Sequence, residues 1–320
     1  MTPGDLNRGF VAALIDDGRP LLIFTGLCLA LAGGFALFLS ATRQFLPHDV
    51  QFLGMTAEQL CGIQNCRVAY FMFHDRVSFG GALIAIGSLY LWLAEFPLRN
   101  GEAWAWWLFV VSGIAGFGSF LAYLGYGYLD SWHGIATLSL IPFFVGGLLK
   151  SRALIPSTAG IGALMRPGGK VRWKSRLGLG RLLLLATAAG MIAGGLTIML
   201  VGMTRVFVPQ DISFIGLSAE SIRSLNPRLL PLIAHDRAGF GGGICTTGIT
   251  VFFSLWCAPP SKSFWQVLFF AGTVGFAAAI GVHPAVGYVD LFHLAPALLG
   301  AGVFLTGMIL CYPQMVKGQT

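Results

Sequence analysis

The stretch LAGGFALFLSATRQFLPHDVQFLGMTAEQL, residues 31–60, decides the fold because it recurs as IAGGLTIMLVGMTRVFVPQDISFIGLSAESI at residues 192–222. Each copy begins with an apolar run and continues into a polar segment in which Pro, Asp and Gly hold the same places. Similarity within one chain at a fixed distance is typical of a repeated structural unit. The sequence therefore predicts a duplicated protein.

The apolar runs predict a membrane protein. The chain has 320 residues, of which 56% are hydrophobic and 10% charged, with a mean hydropathy of +0.76. A soluble domain carries about a quarter charged residues, and a polypeptide in lipid must satisfy its own backbone hydrogen bonds, which favours helices. Eight apolar segments are predicted to be transmembrane helices: 20–41, 77–95, 104–126, 134–149, 181–203, 239–257, 264–285 and 293–311.

The distribution of Lys and Arg predicts the orientation. Eight of the twenty basic residues lie between the fourth and fifth predicted helices or at the first residue of the fifth. Basic loops remain in the cytoplasm, so this segment and both termini are predicted to be cytoplasmic in a multi-pass plasma (inner) membrane. The net charge of +7 then reflects topology and contact with anionic lipid headgroups. It does not predict nucleic-acid binding.

The duplication divides the chain into two tandem four-helix repeats, residues 20–150 and 181–312. An even number of helices per repeat gives both copies the same topology, so a pseudo-two-fold axis along the membrane normal is expected to relate them. The remaining segments are a cytoplasmic N-terminal segment (1–19), a basic cytoplasmic linker (151–180) and a cytoplasmic tail (313–320). We therefore predict an all-α integral membrane fold.

The positions shared by both copies predict a site at the outer, periplasmic face. FMFHDRVSFGG (71–81) matches LIAHDRAGFGG (232–242), and GYLDSWH (127–133) matches GYVDLFH (287–293). Ionisable residues near a membrane boundary usually have a partner or a function. The candidate catalytic residues are His74, Asp75, Asp130, His133, His235, Asp236, Asp290 and His293. The candidate substrate-binding residues are Arg76, Tyr128, Arg237 and Tyr288, the arginines being expected to hold an anionic headgroup.

Imidazoles and carboxylates together suit zinc, iron or manganese, and facing histidines suit haem b. The candidate ligands are His74, His133, His235, His293, Asp130 and Asp290. A carboxylate three residues before a histidine is expected to orient its ring. His48 and His283 are left out because neither has a matched histidine in the other copy.

Several functions stay open. The site is predicted to bind metal or haem and, in an enzyme, to act on a membrane lipid or a quinone-like molecule that enters from the bilayer. A transporter is one alternative. Another is a non-catalytic subunit in which the polar residues form a structural clamp, with Arg76 paired to Asp130 and Arg237 to Asp290. The sequence predicts neither the reaction nor the oligomeric state.

Two local features concern the segments before the HDR motifs. Thr56 and Ser218 are predicted N-caps of short interfacial helices. Cys61 and Cys66 lie close together in a loop expected outside the cytoplasm, where they are predicted to form a disulfide.

Overall fold

A computed structural model describes residues 9–121, 127–129, 131–169 and 172–318, and this part of the chain is helical with no strand. Its α-helices are α1 (Phe10–Ile15), α2 (Arg19–Ala41), α3 (Pro47–Leu53), α4 (Ala57–Cys61), α5 (Arg67–Leu93), α6 (Ala103–Leu121), α7 (Ser131–Ser151), α8 (Arg176–Thr204), α9 (Pro209–Ile215), α10 (Ala219–Leu225), α11 (Leu229–Cys257), α12 (Lys262–Val286) and α13 (Leu291–Val316). A π-helical turn, Ala94–Leu98, extends α5, and 3-10 turns follow α7.

Within these residues eight helices are long and apolar enough to cross a membrane, as the sequence predicts: α2, α5, α6, α7, α8, α11, α12 and α13. The largest differences from the predicted bounds are in α5 and α11, which begin ten residues before the predicted starts at 77 and 239. The HDR motifs therefore lie inside helices and not at their entrances. His74 follows the start of α5 by seven residues, which is roughly 10 Å along the axis.

The two helices that carry the HDR motifs form the centre of the bundle. In an 18-residue apolar stretch of α5 and of α11, 67% of the residues are buried. The corresponding share in the other six membrane helices is 17–33%. Glycines permit close packing on both. A Cβ at Gly33 of α2 would lie 2.4 Å from the carbonyl oxygen of Gly80 in α5, and one at Gly195 of α8 would lie 2.6 Å from that of Gly241 in α11. These glycines therefore allow α2 and α8 to pack closely against the two central helices.

The central helices also pack across the boundary between the predicted repeats. A Cβ at Gly81 of α5 would lie 2.5 Å from the Cβ of Ala278 in α12, and one at Gly242 of α11 would lie 2.3 Å from the hydroxyl of Ser119 in α6. Each central helix thus contacts a helix from the other half of the chain. The two halves interlock, and neither encloses its polar residues alone.

Four short helices, α3, α4, α9 and α10, cover one end of the bundle, which we call the capped end. They pack on the starts of α5 and α11 through an apolar cluster that includes Leu60, Phe71 and Ile222. Thr56 and Ser218 cap α4 and α10, as predicted. A disulfide joins Cys61 to Cys66 between α4 and α5.

The opposite end, which we call the linker end, is closed by the segment between α7 and α8. The backbone amide of Gly168 donates to the carbonyl of Trp256 at 3.0 Å, and the indole of Trp256 donates to the carbonyl of Met165 at 3.2 Å. The linker therefore packs against the end of α11.

Candidate functional site

The site begins with α3 and α9, whose sequences explain their local structure. Pro47 and Pro209 stand at the first helical position, where a missing N–H costs nothing. Gly54 and Gly216 end the helices with φ of 69° and 75°, which favours glycine. The first turn of each helix contains an aspartate, which is Asp49 in α3 and Asp211 in α9.

Asp49 and Asp211 are almost fully buried and face the HDR arginines. Arg76 donates from one terminal nitrogen to Asp49 Oδ2 at 2.7 Å and from Nε to Asp236 Oδ2 at 2.8 Å. Arg76 thus bridges a carboxylate from its own half of the chain to one from the other half.

Arg237, at the matched position, makes a similar set of contacts. It donates to Asp211 and to the carbonyl of Val206, and its Nε lies 3.9 Å from Asp75 Oδ2. The pattern is reciprocal, because Asp75 belongs to the first half of the chain and Arg237 to the second. The predicted pairing of Arg237 with Asp290 is wrong, since the buried Asp211 takes that place.

Tyr128 and Tyr288 support the same two carboxylates. The hydroxyl of Tyr128 donates to Asp49 Oδ1 at 2.5 Å, and that of Tyr288 donates to Asp211 Oδ1 at 2.8 Å. Each ring is 1% exposed, so neither tyrosine is an aromatic anchor at the lipid boundary. Burial and the charge of Asp211 raise the pKa of Tyr288, which keeps its hydroxyl a donor.

The charge state of Asp49 follows from its neighbours. Its burial opposes ionisation, but the charge of Arg76 and hydrogen bonds from Tyr128 and Arg76 outweigh burial and lower the pKa of Asp49 below its usual value. Asp49 is therefore a carboxylate at neutral pH and accepts from both neighbours.

Three histidines meet beside these ion pairs. His74 of α5, His283 of α12 and His293 of α13 place one ring nitrogen each within 4.8 Å of one another. His74 Nε2 lies 3.2 Å from His283 Nε2, and the ring of His293 is centred 5.5 Å from that of His74. We call these residues the histidine cluster. It is the one group of this kind among the residues that the structure describes.

His74 is held by a carboxylate on its other side. His74 Nδ1 lies 2.9 Å from Asp75 Oδ1, and both side chains are at most 3% exposed. The contact leaves His74 Nε2 directed at the other two histidines. The ring of Tyr288 stacks on that of His293, with centroids 4.4 Å apart, and so covers one face of this histidine.

The matched residues of the other half are arranged differently. The rings of His133 and His235 are stacked with centroids 6.3 Å apart, and His48 lies 5.5 Å from His133 on the far side. A cavity of about 480 Å³ extends between α2, α5, α6, α7 and α11. One end of it is lined by His133, His235, Arg76 and Asp236. We call it the apolar cavity, because most of its remaining lining is hydrophobic.

Asp130 and Asp290, the two aspartates predicted to orient a histidine three residues later, are not seen in that role among the residues that the structure describes. Asp290 Oδ1 accepts from the backbone N–H of His293 at 2.8 Å, so Asp290 is the N-cap of α13 and not the partner of an imidazole. The DLFH pattern fits this role, since an N-cap carboxylate bonds the amide three residues on. Asp130 lies outside the described residues.

Sequence reasoning missed three residues that the fold brings into the site. Asp49 and Asp211 occupy matched positions, and that signal was available before the structure. His283 was left out for lack of a matched histidine, yet it makes the shortest contact within the histidine cluster. No pattern in the sequence places it there, because the contact depends on how α12 packs against α5.

Comparison with protein-family models, with curated proteins and with solved structures gives no match.

Proposed function

We propose that this protein is a multi-pass membrane metalloprotein that holds a divalent transition metal, with zinc fitting best, between His74, His283 and His293. The observation that carries the proposal is the approach of three imidazole nitrogens to within 4.8 Å of one another. Nitrogen ligands of tetrahedral zinc, each about 2.0–2.1 Å from the metal, lie roughly 3.3 Å apart. The 3.2 Å between His74 Nε2 and His283 Nε2 fits that spacing.

The surroundings of His74 support the same proposal. Metal-bound histidines usually donate their second ring N–H to a carboxylate, which fixes the tautomer and makes the ring a better ligand. The contact between His74 Nδ1 and Asp75 Oδ1 has this arrangement. His293 is the least buried of the three rings, and its ligand nitrogen lies within 4.8 Å of those of the other two. Three protein ligands leave a fourth position for water or a substrate.

Haem fits the histidine cluster poorly. Two axial imidazoles must face each other across a planar porphyrin. Nitrogens 3.2 Å apart leave no room for a ring between them. A free metal ion is therefore the better ligand for this cluster.

The proposal includes the predicted architecture and orientation. The reciprocal contacts of Arg76 and Arg237 support two repeats related by a pseudo-two-fold axis. The linker end carries the basic segment, which favours the cytoplasmic side. The capped end and the histidine cluster would then face the outside of the cell.

The test is metal content with a ligand-specific readout. We expect His283→Ala to lose the metal, and cobalt added to the wild-type protein to give the visible bands of a tetrahedral nitrogen site. His48→Ala is the control, since His48 lies beside Asp49 and outside the histidine cluster. Metal retained in His283→Ala, or no metal in the wild type after zinc or cobalt is added, would favour a structural role in which His74 and His283 share a hydrogen bond.

A further inference from the structure

The apolar cavity has the form of a binding site for one lipophilic molecule. Its volume of about 480 Å³ lies within the usual range of roughly 300–1,000 Å³ for small-molecule sites. Aliphatic and aromatic side chains line most of it, and its charged and imidazole side chains, Arg76, His133, His235 and Asp236, converge near the capped end. An apolar pocket with a few polar groups at one place orients a ligand that has one polar end.

The cavity is accessible from the side of the bundle. Near the linker end α2 and α7 pack tightly, with Gly147 against Leu22 and with the rings of Phe24 and Phe143 5.0 Å apart. Nearer the capped end both helices line the cavity, and exposed residues such as Ala32 and Ala136 are part of its wall. A ligand can therefore enter between α2 and α7 from the bilayer.

The charges at the polar end select the headgroup. Arg76 already pairs with Asp49 and Asp236, so two carboxyl groups share the one guanidinium at this end of the cavity. A phosphate or carboxylate headgroup would be repelled there, because like charges at a buried site are costly. This argues against the anionic headgroup expected from the sequence. A neutral headgroup with hydrogen-bonding oxygens meets no such cost.

The aromatic walls favour a flat ring. Phe120 lies beside both imidazoles, with its ring centroid 6.1 Å from that of His133 and 5.8 Å from that of His235. Phe79 lines the same cavity. Imidazole nitrogens can donate to a carbonyl oxygen or accept from a hydroxyl. We propose that the apolar cavity binds a quinone or quinol, with its ring oxygens at His133 and His235 and its tail toward the linker end.

This inference is independent of the metal site. The test is native mass spectrometry of the full-length protein, which counts bound metal and bound ligand in the same spectrum. The probes are decylubiquinone and, as an anionic amphiphile with a tail of the same length, decyl phosphate. We expect one decylubiquinone per chain at saturation and no comparable binding of decyl phosphate.

Cavity-filling variants locate the binding. Ala136→Phe and Ala32→Phe place a ring in the cavity from α7 and from α2, and each is expected to weaken decylubiquinone binding at least about tenfold. The matched controls Leu138→Phe and Leu31→Phe alter exposed positions outside the lining and should bind like the wild type. All four variants should keep the metal.

The quinone assignment is wrong if no decylubiquinone binds, if decyl phosphate binds in its place, or if both filling variants bind normally. His283→Ala separates the two proposals, since it should lose metal and still bind decylubiquinone.

Discussion

Arg76 of α5 donates to Asp236 of α11 at 2.8 Å and thereby joins residues 160 positions apart in the chain. Asp236 stands beside His235, and Arg76 stands two residues after His74. The ion pair therefore fixes the two HDR motifs relative to each other at the centre of the bundle. Its side chains are 14% and 9% exposed, so water screens the pair little.

We expect Asp236→Asn to destabilise the protein by about 3 kcal/mol, because removal of one partner leaves part of a buried charge uncompensated. Arg99→Gln is the control, since Arg99 and Glu95 form an ion pair with side chains 61% and 42% exposed and worth less than about 1 kcal/mol. Unfolding of both variants in mixed detergent micelles measures the difference. Equal stabilities would mean that the buried pair contributes no more than a surface pair.

We expect stability to fall in acid partly through Asp49. A carboxylate whose pKa is lower in the folded state contributes stability above its unfolded pKa of about 3.9, and loses it as the pH falls through the folded pKa. One such group gives a slope of at most about 1.4 kcal/mol per pH unit.

The midpoint of unfolding between pH 3 and pH 7 tests this, with Asp49→Asn expected to give a flatter profile below pH 4. Tyr128→Phe removes a hydrogen bond that lowers the pKa of Asp49. The loss of stability in acid should therefore occur at a higher pH in this variant. A profile of Asp49→Asn parallel to that of the wild type would exclude Asp49 as the titrating group.

If the histidine cluster holds a metal, Asp75→Asn should weaken zinc binding by roughly 10- to 100-fold, as is usual when the carboxylate behind a ligating histidine is changed. Asp290→Ala is the informative comparison. Asp290 caps α13, so its loss should cost about 1 kcal/mol of stability and leave zinc affinity close to that of the wild type. Competition with a chelator measures the zinc affinity of both variants. If Asp290→Ala weakened zinc binding more than Asp75→Asn, Asp290 would be the more important residue for the metal.

Substitution of two neighbouring glycines of α2 by alanine should change the stability of the protein in different ways. At Gly33 an added Cβ would meet the backbone oxygen of Gly80 at 2.4 Å, whereas nothing lies within 4 Å of one at Gly34. We expect Gly33→Ala to destabilise the protein by about 1–3 kcal/mol through overpacking, and Gly34→Ala to be neutral or slightly stabilising. Gly195 and Gly194 of α8 should behave as the same kind of pair. Thermal unfolding of the four variants measures the contrast, which disappears if α2 does not pack closely on α5.

The membrane helices and the polar residues of interest could be predicted from the sequence alone. Apolar length is a local property, and a lipid environment requires helices for each such run. Comparison of the chain with itself then singled out the HDR motifs, Tyr128, Tyr288 and the short capped helices, because polar, Gly and Pro positions recur where lipid-facing positions differ.

Only the tertiary structure decided which of these residues meet. Arg237 pairs with Asp211 rather than Asp290, and His74 meets His283 and His293 from helices more than 200 residues away in the chain. The contact between His74 and His283 depends on close packing of α5 and α12 across the boundary between the two halves. Spacing along one helix determines which residues share a face, but the partner opposite that face is set by how separate helices pack. The histidine cluster and the apolar cavity therefore became visible only in the folded chain.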